Sequence, residues 1–290
     1  MFERGDTGLP QGYEELKITR RKGESSEAAS DLVARESPLE IVVNGEVLTT
    51  LLRTPGDDSD LILGFLYSSG IIGGIEDIEN QRSFAGEEGK KPFIYEGDFP
   101  SFLHSSASAR RVEITLRSRS TLSLVSWNRF SWDSGMLSRA GRLAASRRKD
   151  PDAPIQALFD ARLIIKLGDA MKENQTLFNL TGGTHAAAIF TKDGKIIKVF
   201  EDVGRHNAID KAIGNALRAR VDLYDKGLLL SGRASSEMVI KTAVSGIPLL
   251  CSVSAPTSLG VELAEKLGLT VVGFLREQRF NIYSHEWRIS

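Results

Sequence analysis

Thr181–Gly214 reads TGGTHAAAIFTKDGKIIKVFEDVGRHNAIDKAIG, and its pattern decides the fold class. Two apolar runs, Ala186–Phe190 and Lys195–Phe200, flank Lys192-Asp193-Gly194. An Asp-Gly turn between two such runs predicts a β-hairpin, because glycine accepts the positive φ of a tight turn. The chain then turns through Glu201-Asp202-Val203-Gly204 into a stretch with Ala208, Ile209, Ala212, Ile213, Ala216 and Leu217. That spacing is one buried face of a helix. A strand ending in Asp-x-Gly-Arg-His at a helix N-terminus suits an anion, since free N–H groups and the helix dipole converge there. Asp202, Arg205, His206 and nearby His185 are therefore candidate ligand contacts. The plain alternative makes Asp202 an N-cap and His206 a first-turn residue.

Working outward toward the C-terminus, strands and helices alternate. Leu228–Ser231 reads as a strand, followed by Gly232-Arg233-Ala234-Ser235-Ser236 and a helix with Met238, Val239, Thr242, Ala243 and Val244. Ile247–Val253 is a buried strand, then Ser254-Ala255-Pro256-Thr257-Ser258 opens a helix with Leu259, Val261, Leu263, Ala264 and Leu267. Leu269–Leu275 and Phe280–Tyr283 complete the set. This alternation predicts an α/β domain with helices packed on a largely parallel sheet. Three strand-to-helix turns, Asp202–His206, Ser231–Ser236 and Ser254–Ser258, should lie where such sheets bind ligands. Their hydroxyls (Ser231, Ser235, Ser254) and the guanidinium groups of Arg205 and Arg233 favour phosphate or carboxylate. Phe274-Leu275-Arg276-Glu277-Gln278-Arg279 places two further arginines at a strand end, read from spacing alone as exposed turn charges.

Toward the N-terminus, Leu39–Val43 and Val47–Leu52 flank Asn44-Gly45, a second hairpin signal. Thr54-Pro55-Gly56-Asp57-Asp58 leads to a helix over Asp60–Ser69 ended by Gly70, with Leu61, Leu63, Gly64, Phe65 and Leu66 inward. Gly86–Pro100 is loop-rich and Val112–Leu116 alternates like a strand. Trp127–Met136 mixes aromatics with turn formers, and a basic helix is expected over Leu137–Lys149. Pro151 and Pro154 bracket a boundary before a helix over Ile155–Gln175, with Ala157, Leu158, Ala161, Leu163 and Ile164 inward. The expected organisation is a mobile arm or edge strand over 1–37, a smaller β-rich α+β domain over 38–135, and the α/β domain over 136–290.

Composition narrows the function. The chain has 290 residues, 41% hydrophobic and 26% charged, with a net charge of −1, so no global field attracts nucleic acid. The exception is local: ten Lys and Arg residues between Arg110 and Lys149 face only Glu113 and Asp133. Such a block suits phosphate or an acidic partner, or simply a solvated loop. The opening MFERGDTGLPQG lacks an apolar signal core and no apolar run approaches ~20 residues, so the expectation is a cytoplasmic protein without a membrane span. The single cysteine, Cys251, excludes an intramolecular disulfide and a Cys-rich zinc site. A zinc deaminase would need His-x-Glu and Pro-Cys-x-x-Cys, but His185 is followed by Ala186-Ala187. Cys251 lies inside an apolar strand, where packing is its ordinary role. Ser231 or Ser254 with a histidine lacks a nucleophile elbow.

TGGTHAAA, EDVGRHNAIDKAIG, SGRASSEMVIKTAVSG, VSAPTSLGVELAEKLGLTVVGFLR and FNIYSH, with NGEVLTTLLRTPGDDSDLILGFLYSSGII upstream, closely resemble the FdhD/NarQ family of formate dehydrogenase accessory proteins. The likeness covers most of Leu39–Ile289. It implies a cytidine-deaminase-like three-layer α/β/α fold without the zinc machinery. It also implies a sulfurtransferase that takes persulfide sulfur from a cysteine desulfurase. The recipient is the bis-guanine-dinucleotide molybdenum cofactor (Mo-bis-molybdopterin guanine dinucleotide), before insertion into apo formate dehydrogenase, with a guanine nucleotide as partial mimic. By the same resemblance, Phe274, Leu275, Arg276, Glu277, Gln278 and Arg279 contact the cofactor, and the protein is a homodimer. The family carries sulfur on a Cys-x-x-Cys loop. Here the corresponding residues are Phe130, Ser131, Trp132, Asp133, Ser134, Gly135 and Met136, with no cysteine. A thiolate is what forms a persulfide, and serine or aspartate does not replace it. Two readings follow: sulfur transfer by an unidentified route, or a cofactor-binding chaperone that docks on apo formate dehydrogenase without carrying sulfur.

Overall fold

The computed structural model describes residues 12–85, 110–117, 134–146 and 159–290. The hairpin at the centre of the sequence forms as read: β7 (His185–Phe190) pairs antiparallel with β8 (Ile196–Asp202). Helix α5 (Arg205–Arg218) follows directly. Beyond it come β9 (Gly227–Leu230), α6 (Ser236–Val244), β10 (Leu249–Ser252), α7 (Ser258–Leu267), β11 (Thr270–Arg276) and β12 (Arg279–Ser284). Helices α3 (Ala161–Glu173) and α4 (Thr176–Thr181) precede the hairpin.

These strands make one six-stranded sheet in the order β12-β11-β10-β9-β7-β8. The sheet is mixed, which corrects the expectation of a largely parallel one. Only β9, β10 and β11 pair in parallel; β7 is antiparallel to both β8 and β9, and β12 to β11. The reason is connection length. The short turns after β7 and β11 allow only hairpins, whereas the helix-bearing connections of β9–β11 reach back for parallel pairing.

Side-chain alternation splits the sheet's two faces between two cores. Ala187, Ile189, Leu228, Leu230, Leu250 and Val271 pack with Ile209, Ile213, Met238, Val239, Leu263 and Ala264, so α5, α6 and α7 share one face. Ala186, Ala188, Phe190, Leu229, Leu249, Cys251 and Val272 pack with Ile164, Leu167 and Met171 of α3 on the other. The result is three layers. Helix α3 begins later than the periodicity suggests; Phe159 instead bridges Ile289, and the expected inward Ala157 and Leu158 lie outside the described residues.

The N-terminal half is a four-stranded sheet in the order β4-β3-β6-β5, from β3 (Ser37–Val43), β4 (Glu46–Arg53), β5 (Ile78–Ala85) and β6 (Arg110–Leu116). Asn44 and Gly45, both at positive φ, make the two-residue turn between β3 and β4. Strand β5 carries no clear apolar alternation (Ile78-Glu79-Asn80-Gln81-Arg82-Ser83-Phe84-Ala85), so the sequence left it unmarked. Helix α1 (Asp58–Ser68) packs on α5, and its Leu61, Ile62 and Leu66 join the core of α5–α7. Helix α2 (Ser134–Ser146) packs on α6 and α7 and starts earlier than the expected Leu137; residues 147–149 lie outside the described residues. The segment expected to be an arm or edge strand is instead two strands. Strands β1 (Tyr13–Lys22) and β2 (Ser25–Ala34) form a separate two-stranded antiparallel sheet.

Two buried polar clusters lock α1 to the larger sheet's helices. Lys241 Nζ donates to both carboxylate oxygens of Asp210 (2.8 and 2.7 Å) and to Ser68 Oγ (2.8 Å), joining α6, α5 and α1. Asp60 accepts from Asn215 Nδ2 (3.0 Å) and Arg218 (2.8 Å). Helix α5 is buried almost all round, so its charged residues must be paired inside the protein.

Candidate functional site

Because β8, β9, β10 and β11 run in one direction, their carboxyl ends lie along one edge of the sheet. Strand β7 runs the other way and delivers its first residue, His185, to that same edge, where it pairs with Asp202. All three strand-to-helix turns read from the sequence therefore meet. The second and third are also bonded to each other: Ala234 N donates to Ala255 O (3.2 Å), Thr257 N to Ala234 O (3.1 Å), and Ser252 Oγ to Gly232 O (2.6 Å). Phe274 N donates to Ser254 O (3.0 Å), which brings the Phe274–Arg279 segment into the same edge. Gly232 lies beside the first turn of α5 and His185: a Cβ there would be in ordinary contact with His185 Nδ1 (3.4 Å) and Arg205 Cβ (4.0 Å).

The helix N-termini at this edge are not alike. Helix α7 is capped by Thr257 Oγ1, which accepts from Gly260 N (3.1 Å). Helix α5 has Gly204 as its N-cap and so no side chain to offer, and the Ser235 side chain does not cap α6. Two buried polar atoms here have no partner, Arg205 Nε and Ser235 Oγ. A buried polar group left unpaired is costly, and both groups are free to meet an added hydrogen-bond partner. Arg233 is exposed and Ser254 half-buried. Ser231 Oγ is already occupied, accepting from Ala186 N (2.8 Å).

The histidines differ in their surroundings. Burial pushes the His185 imidazole below its ordinary pKa, and the Arg205 guanidinium adds to the effect. Burial also lowers His206, opposed by its hydrogen bond to the Glu237 carboxylate on the first turn of α6. The His206–Glu237 contact joins the first turns of α5 and α6.

Asp202 is placed otherwise than a ligand contact would be. Its side chain is fully buried, paired with Lys211 Nζ at 2.7 Å. It also accepts from Thr54 N (3.1 Å), Gly204 N (2.9 Å) and Asn207 Nδ2 (2.9 Å). Lys211 Nζ in turn donates to Thr54 O and Glu201 O. Asp202 thus ties the end of β4 to the α5 turn beneath the site. Leu275, expected beside the cofactor, is buried in the core with α3, while Arg276, Glu277, Gln278 and Arg279 are exposed.

The Phe274–Arg279 segment stores backbone strain. Phe274 (φ 55°), Glu277 (φ 54°) and Gln278 (φ 59°) are left-handed, a conformation that costs an L-residue about 1–2 kcal/mol. Glu277 and Gln278 make the two-residue turn between Arg276 and Arg279. Strain of this kind concentrates where a backbone is held for a ligand.

Of the expected sulfur-carrying residues, Phe130, Ser131, Trp132 and Asp133 lie outside the described residues, and Ser134, Gly135 and Met136 start α2. Cys251 is fully buried in β10, and burial pushes its thiol far up. The sequence reading missed Glu237, Lys211 and Glu201. Lys211 carried a signal, for it sits between Ala208 and Ala212 on the apolar stripe of α5. Glu201 caps α4 from a distance, accepting from Leu177 N and Phe178 N (2.8 and 2.7 Å), which no local pattern announces. Among the described residues, no group of three or more His, Cys, Asp or Glu side chains could hold a metal ion, and no helix is long and apolar enough to cross a membrane.

The FdhD/NarQ family model matches residues 34–290. A relative from Nocardia farcinica, named sulfur carrier protein FdhD, is 40% identical over 89% of this chain and 88% of its own length. Proteins of the same name from Sulfolobus acidocaldarius (37%; 94% and 97% covered) and Thermoplasma acidophilum (39%; 90% and 88%) are similarly close. A crystal structure from Desulfotalea psychrophila, whose description proposes a formate dehydrogenase accessory role, superposes with a TM-score of 0.70 at 24% identity, covering 96% of this chain and all of that one. The mixed α/β architecture is thus shared with that structure, and the chain belongs to the FdhD/NarQ family.

Proposed function

We propose that the chain is a formate dehydrogenase accessory protein that holds the bis-guanine-dinucleotide molybdenum cofactor, as cargo, at the carboxyl edge of the six-stranded sheet. The observation that carries this reading is the pair of buried, unpartnered groups, Arg205 Nε and Ser235 Oγ, at two helix N-termini without side-chain caps. Phosphate oxygens of a guanine nucleotide would accept from both, with Arg233 at the exposed side. The strained Phe274–Arg279 turn, bonded to the Ser254 loop, supplies the neighbouring wall. The three-layer arrangement suits a cytidine-deaminase-like scaffold from which the zinc ligands are missing.

The burial of Cys251 favours one of the two routes left open by the sequence. A persulfide forms on an accessible thiolate, and this thiol is neither accessible nor readily ionised. The chain therefore acts by presenting the cofactor, while the persulfide of a cysteine desulfurase delivers sulfur directly, before docking on apo formate dehydrogenase.

Calorimetric titration of the full chain with GDP tests the site. Arg205→Ala should weaken binding about tenfold or more, the loss of a charge-assisted hydrogen bond worth roughly 1.5–3 kcal/mol, without lowering the thermal midpoint. Unchanged affinity in both Arg205→Ala and Arg233→Ala rejects the anion site. Intact mass after incubation with a cysteine desulfurase and cysteine tests the route. A gain of one sulfur that disappears in Cys251→Ser would make this cysteine a carrier and overturn direct delivery.

A further inference from the structure

His185 and Arg205 meet at the carboxyl edge of the six-stranded sheet, and neither is satisfied there. His185 opens β7, and the alternation that sends Ala187 and Ile189 to the face of α5–α7 puts its side chain on that face too. The residue is half-buried, and neither ring nitrogen has a hydrogen-bond partner among the described residues. Arg205, on the first turn of α5, is in the same condition. Its guanidinium pairs with no carboxylate among the described residues, and its Nε is buried without a partner.

The acids around them are already committed. Asp202, opposite His185 across the β7–β8 ladder, is paired with Lys211 Nζ at 2.7 Å. Glu201 accepts from Leu177 N, Phe178 N and Thr184 Oγ1. Glu237, on the first turn of α6, is taken by His206, and Lys241 of the same helix by Asp210. Arg233, on the turn after β9, is exposed. The unmatched charge beside His185 is therefore that of Arg205.

That balance decides the state of the imidazole. A proton on His185 would be half-desolvated and would stand beside the Arg205 guanidinium; both effects oppose it, and the ring is neutral at pH 7. A phosphate bearing two negative charges reverses the sign. Arg205 matches one of those charges, and in a partly buried site the other needs a cation as well. An opposite charge within about 4–6 Å favours the imidazolium, which then donates a charge-assisted hydrogen bond. His206 is not the group that changes, because its Nε2 is already held by Glu237.

We propose that His185 is a phosphate ligand of this site and that the phosphate binds together with a proton, which His185 takes up from solution. The inference rests on the anion site described above and adds to it one residue and one charge state. Capture is tightest near neutral pH and weakens as the solution becomes alkaline.

The untagged full chain has four histidines, so the imidazole Cε1–H signals in proton NMR read the protonation directly. The His185 signal is the one missing from His185→Gln. On addition of GDP at about pH 7.5, well above the second phosphate pKa of about 6, that signal should move to the imidazolium position. Calorimetry at the same pH in Tris and in Hepes, which differ in ionisation enthalpy, should show net proton uptake. Affinity should fall with rising pH by up to about tenfold per unit. His185→Gln should still bind GDP through Arg205, more weakly, with a heat that no longer depends on the buffer. Bound GDP with an unmoved His185 signal and no proton uptake overturns this inference and leaves the anion site standing. Proton uptake that persists in His185→Gln overturns it too, by assigning the proton to another group. A wild type that does not bind GDP overturns the site and this inference together.

Discussion

Gly64 on α1 and Gly214 on α5 meet backbone to backbone, each taking up the space the other's side chain would need. A Cβ on Gly64 would lie 1.8 Å from the Asp210 carbonyl oxygen, and one on Gly214 would lie 1.9 Å from that of Asp60. The N-terminal sheet and the larger sheet are joined through this crossing, and α5 also sets Arg205 and His206 at the candidate site.

Gly64→Ala and Gly214→Ala should each destabilise the protein by about 1–3 kcal/mol or more, because backbone at the contact has no rotamer by which to yield. Urea unfolding measures the loss. A change below about 0.5 kcal/mol in both would show that the helices separate freely.

Lys241→Met should be strongly destabilising, by roughly 3–5 kcal/mol, since it leaves the Asp210 carboxylate buried with only Ser68 beside it. The double variant Asp210→Leu, Lys241→Met should recover most of that loss. A double-mutant cycle in urea gives the coupling; additive effects would mean that the pair does not interact.

The lowered pKa values of His185 and His206 make stability depend on pH with a definite sign. Between the depressed folded value and the ordinary value near 6.5, the unfolded chain binds the extra proton and the native protein does not. Stability from these groups is therefore full above pH 6.5 and falls as the solution is acidified. Asp60 and Glu40, raised by burial, act with the opposite sign at lower pH. The double variant His185→Gln, His206→Gln should flatten the profile below pH 6.5. An unaltered slope in chemical denaturation would assign it to other groups.

Gln278→Gly should raise stability by about 0.5–1 kcal/mol, as glycine relieves the left-handed strain at φ 59° and gives back part of it as chain entropy. If the turn is held for a ligand, GDP affinity should fall in the same variant while the melting temperature rises. A variant less stable than the wild type would remove strain as an account of this turn.

Ser131-Trp132-Asp133-Ser134 has serines at the spacing of the missing cysteine pair. Ser131→Cys with Ser134→Cys should therefore gain one sulfur by mass after incubation with a cysteine desulfurase and cysteine, where the wild type gains none. Failure to gain it would mean that the segment no longer meets the sulfur donor.

The sequence by itself determined the hairpin at Asp193-Gly194, the alternation of strands and helices after it, and the three polar turns, because these are local patterns of turn chemistry and periodicity. It also determined that no cysteine stands in the expected sulfur loop. Only the tertiary structure decided that β7 runs against β9, since pairing direction depends on strands far apart in sequence. It likewise turned Asp202 from a ligand candidate into a buried partner of Lys211, and linked His206 to Glu237 across 31 positions of sequence. A carboxylate at a turn reads the same on paper whether it faces solvent or the interior. Its role follows from which distant backbone, here Thr54, is folded against it.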